Sequence, residues 1–188
     1  LGIAAHYWHP DALEFHDQFS FIKSGIVFAD RVTTVSPSYA REIQTGEFGH
    51  GLDGLLRHRA PVLSGILNGI DTTAWNPARD PALALSYGAT TLARKRQNKI
   101  ALQAEMGLDT DPAAPLFAFI GRLAEQKGID LLLEALPVLL AHPAQAVMLG
   151  SGDPAYEAAL AALADAYPGR LALRIGYDEA LAHRIEAG

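Results

Sequence analysis

Cysteine is absent from the chain. That removes disulfide frameworks and thiolate metal sites, and it is compatible with a reducing cytoplasm. No apolar run approaches the roughly 20 residues that a membrane-spanning helix needs, so no membrane segment is expected. Positive charge is in deficit: 15 Lys and Arg face 21 Asp and Glu, a net charge of −6. No basic stripe outweighs that acidic surface, which argues against a nucleic-acid partner. A starting methionine and a signal peptide are also missing. The chain begins at Leu1 and closes on a helical segment, 179–186, where an alternating α/β pattern calls for another strand. We therefore expect an internal piece of a longer protein.

What is present suits a packed fold. Hydrophobic residues make up 49% and charged residues 19% of 188 positions, enough to bury a core in one large domain or parts of two. The regular part starts at Pro115. Strands are expected at 116–120, 145–149 and 171–175, with helices at 128–141, 155–166 and 179–186. That βαβαβα alternation predicts an α/β fold with a doubly wound parallel sheet. Upstream, Phe21, Ile22, Ile26 and Val27 predict a buried helix over 19–29. Arg31 to Val35 reads as a short β-branched strand, and Ser36-Pro37 as a helix start with an N-cap and proline at the first helical position. A second strand is expected at 62–67, ending in Asn68-Gly69, a strong turn signal. Pro61, Pro77 and Pro81 mark the surrounding stretch as a linker, and a domain boundary is expected at about Pro61, between segments 1–61 and 62–188.

The stretch with most chemical content is Leu116 to Asp130. Its five apolar residues, Leu116 to Ile120, suit a strand buried on both faces of a parallel sheet. Gly121 ends it, Arg122 and Lys127 follow, and Gly128 opens an amphipathic helix carrying Ile129, Leu132, Leu133, Leu136 and Leu140. Two cations in a strand-to-helix loop, at the carboxyl end of a strand and beside a helix N-terminus, make a site for a diphosphate. Spacing alone balances that reading against two solvated loop charges.

Other motifs weigh less. Gly150-Ser151-Gly152-Asp153-Pro154-Ala155 matches the dinucleotide pattern G-x-G-x-x-G/A, with Asp178 or Glu179 available for a ribose. Yet it follows the second strand of the run, and Pro154 removes an N–H at the helix start. Asp153 as N-cap and Pro154 as first helical residue explain it structurally. Tyr177, after the third strand, is placed to stack on a nucleobase. Asn68, at the end of its own strand, is either a turn residue or part of the same crevice. Arg94, Lys95, Arg96 and Lys99 read as the solvated face of a helix over 90–106. His6-x-x-His9 lacks a third ligand placed by spacing, so no metal is expected there.

Several of these segments together resemble one family. Val35-Ser36-Pro37-Ser38-Tyr39-Ala40, Leu63 to Asp71 with Trp75-Asn76-Pro77, Gly121-Arg122-Leu123 with Gln126 to Asp130, Leu149 to Pro154 and Ile175-Gly176-Tyr177 occur in the order found in bacterial glycogen synthases and plant starch synthases. The resemblance runs from about residue 10 to the end. It implies a GT-B glycosyltransferase, with parts of two Rossmann-like domains built on parallel sheets. Residues 1–61 would end the N-terminal, acceptor-side domain, and 62–188 would hold the interdomain segment and the start of the nucleotide-sugar domain. The implied reaction transfers glucose from ADP-glucose to the non-reducing end of an α-1,4-glucan with retention. By the resemblance, Arg122 and Lys127 are catalytic and bind the donor diphosphate together with Gly121. Asn68 would lie near donor and acceptor, and Tyr177 by the adenine. No cofactor or metal is implied, ADP-glucose being the donor substrate. The implied location is the cytoplasm, or a plastid if the source is a plant. The family's lysine-glycine-glycine loop, its cleft histidine and its glutamate-proline-cysteine-glycine motif fall outside these residues, so this piece is expected to be inactive alone. Alternatives are a retaining GT-B transferase using a UDP- or GDP-sugar, and a nucleotide-binding module without chemistry.

Overall fold

A computed structural model describes residues 2–188. The chain forms two compact units, divided between Ile70 and Asp71. The expected boundary, Pro61, lies inside the first unit, because the strand that follows it pairs back into that unit.

In the first unit, β1 (Glu14–Phe15) and β2 (Gln18–Phe19) form an antiparallel hairpin. Its turn residues His16 and Asp17 have φ of 53° and 60°, the left-handed pair that a two-residue hairpin requires. Helix α1 (Phe21–Phe28) starts at Ser20, whose side chain accepts from Lys23 N. Strand β3 (Val32–Thr34) leads into α2 (Pro37–Glu42), with Ser36 accepting from Ser38 N and Tyr39 N as expected of that cap. Helix α3 (Asp53–His58) precedes β4 (Leu63–Gly65), which pairs parallel with β3 in the register Val32↔Leu63. The strand is shorter than expected. Asn68 and Gly69 then run as irregular chain without a turn, and Gly69 is not left-handed. The turn comes at Asp71, whose carboxylate accepts from Thr73 N and Ala74 N and is held below its ordinary pKa by those bonds.

The second unit is a three-layer α/β/α body. Helix α4 (Lys95–Glu105) is followed by β5 (Leu116–Ile120), α5 (Ile129–Leu140), β6 (Gln145–Gly150), α6 (Pro154–Ala166), β7 (Leu171–Ile175) and α7 (Glu179–Ala187). The sheet is parallel in the order β5-β6-β7. Alternate side chains of β6 face opposite layers. Ala146 and Met148 pack with Ile129, Leu136, Leu140 and Leu160 of α5 and α6. Val147 and Leu149 pack with Leu102, Leu181 and Ile185 of α4 and α7.

Three expectations need correcting. Helix α1 is not buried: Phe21 and Ile22 are exposed, and its one buried residue is Lys23. Strand β5 is not buried on both faces; Phe117 and Ile120 are exposed. Among the described residues it lies at the edge of the sheet, and the doubly covered strand is β6, every residue of which is buried. The basic run is not one solvated face either. Arg94 and Arg96 are exposed, but Lys95 Nζ donates to Glu186 O at 2.9 Å and Lys99 Nζ donates to Pro112 O and Ala114 O. A lysine stem lies along apolar surface readily, and its ammonium then satisfies carbonyls that end an element or a loop. Within this unit the segment before α4 is fastened to α7: Asp80 Oδ2 lies 2.5 Å from His183 Nδ1, and the His183 ring stacks on Trp75 at 3.8 Å.

Candidate diphosphate-binding site

The loop from Gly121 to Gly128 is built by main-chain pairing. Beyond β5 the parallel ladder continues: Gly121 N donates to Leu149 O and Leu123 N to Ser151 O, each at 3.0 Å, and Asp153 N returns to Leu123 O at 2.9 Å. Leu123 is fully buried and anchors the loop in the core. Arg122, between two pinned residues, points out and is exposed. A short 3₁₀ turn, Glu125–Lys127, then carries the exposed Lys127 to Gly128, whose φ of 72° lets the chain reverse into α5.

Two features make this loop receptive to anions. Neither Arg122 nor Lys127 lies within ion-pair distance of a carboxylate among the described residues. Helix α5 also starts without a side-chain cap, whereas Asp153 caps α6 and Asp178 caps α7. The first-turn N–H groups of α5 thus keep their donors, and the helix dipole adds positive potential beside the two cations.

Next to the loop, within the same unit, lies a recess of about 260 Å³ lined by Ile120, Gly121, Arg122, Gly150, Gly176 and Tyr177 among others. Its walls are largely apolar side chains and glycine backbone. Tyr177 stands 88% exposed at its rim. Its hydroxyl donates to Glu179 Oε2 at 3.0 Å, and that bond raises the phenol above its ordinary pKa. The aromatic face stays free. An apolar recess with a free ring, lined by Arg122 and leading into the loop that ends at Lys127, has the form required by a nucleoside joined to a diphosphate.

The dinucleotide reading of the 150–155 loop fails on hydrogen bonds. Gly152 N donates to Glu157 Oε1 at 2.8 Å, Asp153 N to Leu123 O, and Ala155 N to Asp153 Oδ1 at 2.8 Å. Pro154 has no N–H. The N–H groups of residues 152, 153 and 155 are thus already occupied, and Asp178 is spent capping Leu181 N. The expected site residues Gly121, Arg122 and Tyr177 line one recess, and Lys127 ends the same loop. Asn68 belongs to the first unit, exposed in the irregular chain after β4. Glu157 was not legible as a loop partner. Its position in the first turn of α6 signals only a helix-dipole acid.

A family model described as the starch synthase catalytic domain matches residues 1–58. The chain is 56% identical to a glycogen synthase of Cellvibrio japonicus over all 188 residues, covering 39% of that protein. It is 58% identical to a glycogen synthase of Anaeromyxobacter dehalogenans, again over the whole chain and 39% of the relative. Among solved structures, the catalytic domain of starch synthase IV from Arabidopsis thaliana, bound to ADP and acarbose, matches with a TM-score of 0.91 and 36% identity, covering all of this chain and 40% of that one. The chain therefore spans about two-fifths of the length of the relatives it matches. By this full-length likeness and its α/β architecture, the chain belongs to the glycogen synthase and starch synthase family of GT-B fold.

Proposed function

We propose that the protein containing this chain is a glucan synthase, transferring glucose from ADP-glucose to the non-reducing end of an α-1,4-glucan with retention, in the cytoplasm. The observation that carries this reading is the exposed, unpaired Arg122 and Lys127 beside the uncapped start of α5 and the recess at Tyr177. As the bond from glucose C1 to the diphosphate oxygen breaks, negative charge builds on the departing ADP. Fixed cations placed where that charge appears favour the transition state over the bound donor. Arg122 offers a planar fork to phosphate oxygens and Lys127 a compact point charge. The recess holds the nucleoside, with Tyr177 against the adenine, and Gly121 lets the diphosphate approach the backbone. On this reading the two side chains take the place of a divalent ion. The ADP and acarbose named with the Arabidopsis structure support a nucleotide donor and a carbohydrate acceptor.

The test is incorporation of labelled glucose into glycogen by the full-length protein in buffer containing EDTA, with ADP-glucose and UDP-glucose compared. Arg122→Ala and Lys127→Ala are each expected to lower kcat by about 10²–10³-fold and to weaken ADP binding. Wild-type kcat in both variants, or activity abolished by EDTA, overturns the assignment. A preference for UDP-glucose moves the protein to the UDP-sugar class of the same fold.

A further inference from the structure

Arg122 has no side-chain partner to hold it, so its place depends on the backbone on either side. That backbone rests on two glycines of the neighbouring loop. A Cβ added to Gly150 would lie 1.9 Å from Gly121 O, and one added to Gly152 would lie 2.2 Å from Leu123 O and 2.9 Å from Leu123 N. These are main-chain atoms, and the Leu123 side chain is locked in the core, so neither neighbour has room to yield. The two close approaches flank Arg122 in sequence, at residues 121 and 123. Gly152 is in turn fixed by its N–H bond to Glu157 Oε1.

We infer that Gly150 and Gly152, with Glu157 behind them, are positioning residues for Arg122: their missing side chains bring the β6–α6 loop against the β5–α5 loop and set the spot from which the guanidinium reaches the donor diphosphate. This rests on the reading of Arg122 as a diphosphate ligand. Lys127 is placed separately, by its 3₁₀ turn and Gly128, so a disturbance at residue 152 shifts one cation relative to the other. The loop that imitates a dinucleotide fingerprint thus serves the phosphate site through its backbone, without contacting phosphate through its N–H groups.

The discriminating experiment is a double-mutant cycle on the full-length protein, read as ADP affinity by calorimetry and as kcat. Arg122→Ala is expected to weaken ADP binding about ten- to a hundredfold, the effect of losing a charged hydrogen-bond partner. Gly152→Ala is expected to weaken it at least tenfold in the wild-type background and to add nothing in the Arg122→Ala background. Glu157→Ala, a surface change that leaves the glycine in place, is expected to show a smaller loss with the same dependence on Arg122, rescued by Glu157→Gln, which keeps the acceptor oxygen. It provides the answer if Gly152→Ala does not fold. Equal losses in both backgrounds, or unchanged affinity in Gly152→Ala and Glu157→Ala, overturn the positioning role. Failure of the wild-type protein to bind ADP at all would overturn the donor-site reading instead.

Discussion

Asp80 is buried, and burial by itself pushes a carboxyl pKa up. Here the His183 hydrogen bond, the Ala82 N–H and the charge of His183 outweigh it, so the group stays below its ordinary value of 3.8. A folded-state pKa below the unfolded one adds stability above the ordinary value and loses it as the pH falls through the folded value. Asp80→Asn, which keeps the shape and removes the charge, is expected to destabilise the protein by about 1–3 kcal/mol at neutral pH. In urea denaturation that gap should shrink as the pH falls below 3.8. A gap unchanged down to pH 3 would mean that another group carries the effect. Neither partner could be paired by spacing, since 103 residues separate them. Trp75 read as part of a linker and of a family-like segment, not as a partner for the His183 ring.

Among the elements, β6 and α4 are joined at a point that periodicity cannot reveal. Gln145, the first residue of β6, and Gln103 of α4 are both buried. Gln103 Nε2 donates to Gln145 Oε1 at 2.6 Å and to Asp111 O at 2.7 Å, while Gln145 Nε2 donates to Asp109 O at 2.7 Å. One side chain thus ties a strand, a helix and a loop. Gln145→Leu is expected to cost about 1–3 kcal/mol in chemical denaturation, because the Asp109 carbonyl loses a buried partner and Gln103 loses an acceptor. An unchanged midpoint would show that water or loop movement replaces those bonds. The order and type of the elements from β5 to α7 were legible, because their apolar runs and N-cap residues are local signals. Burial of β5 was not, since an edge strand and a central strand carry the same apolar run and differ only in neighbours. The hairpin at His16-Asp17 was also hidden. Its two left-handed positions hold neither of the residues, Asn and Gly, that announce such a turn.

At the scale of the whole molecule, the second unit carries the donor-binding half of the proposed chemistry. The placement of Arg122, Lys127 and Tyr177 in loops after strands of a parallel run was legible, because such loops follow apolar runs that end at glycine. The supporting contacts of Glu157 and the two glycines emerge only when the two loops are brought together. The motifs expected to complete the site, the cleft histidine and the glutamate-proline-cysteine-glycine segment, are not in this sequence. A protein of residues 1–188 alone is therefore expected to incorporate no glucose into glycogen from ADP-glucose. Incorporation by that piece would mean that the chemistry needs neither motif.

The open edge of β5 has a practical consequence for such a piece. Among the described residues β5 pairs on one side only, with β6, and Phe117 and Ile120 stand exposed along it. Five consecutive apolar residues with free main-chain donors and acceptors form a template for strand addition by another copy. Self-association would then rise with protein concentration and be relieved by a charge or a proline on that strand. For the isolated chain, colloidal behaviour would limit handling before unfolding does.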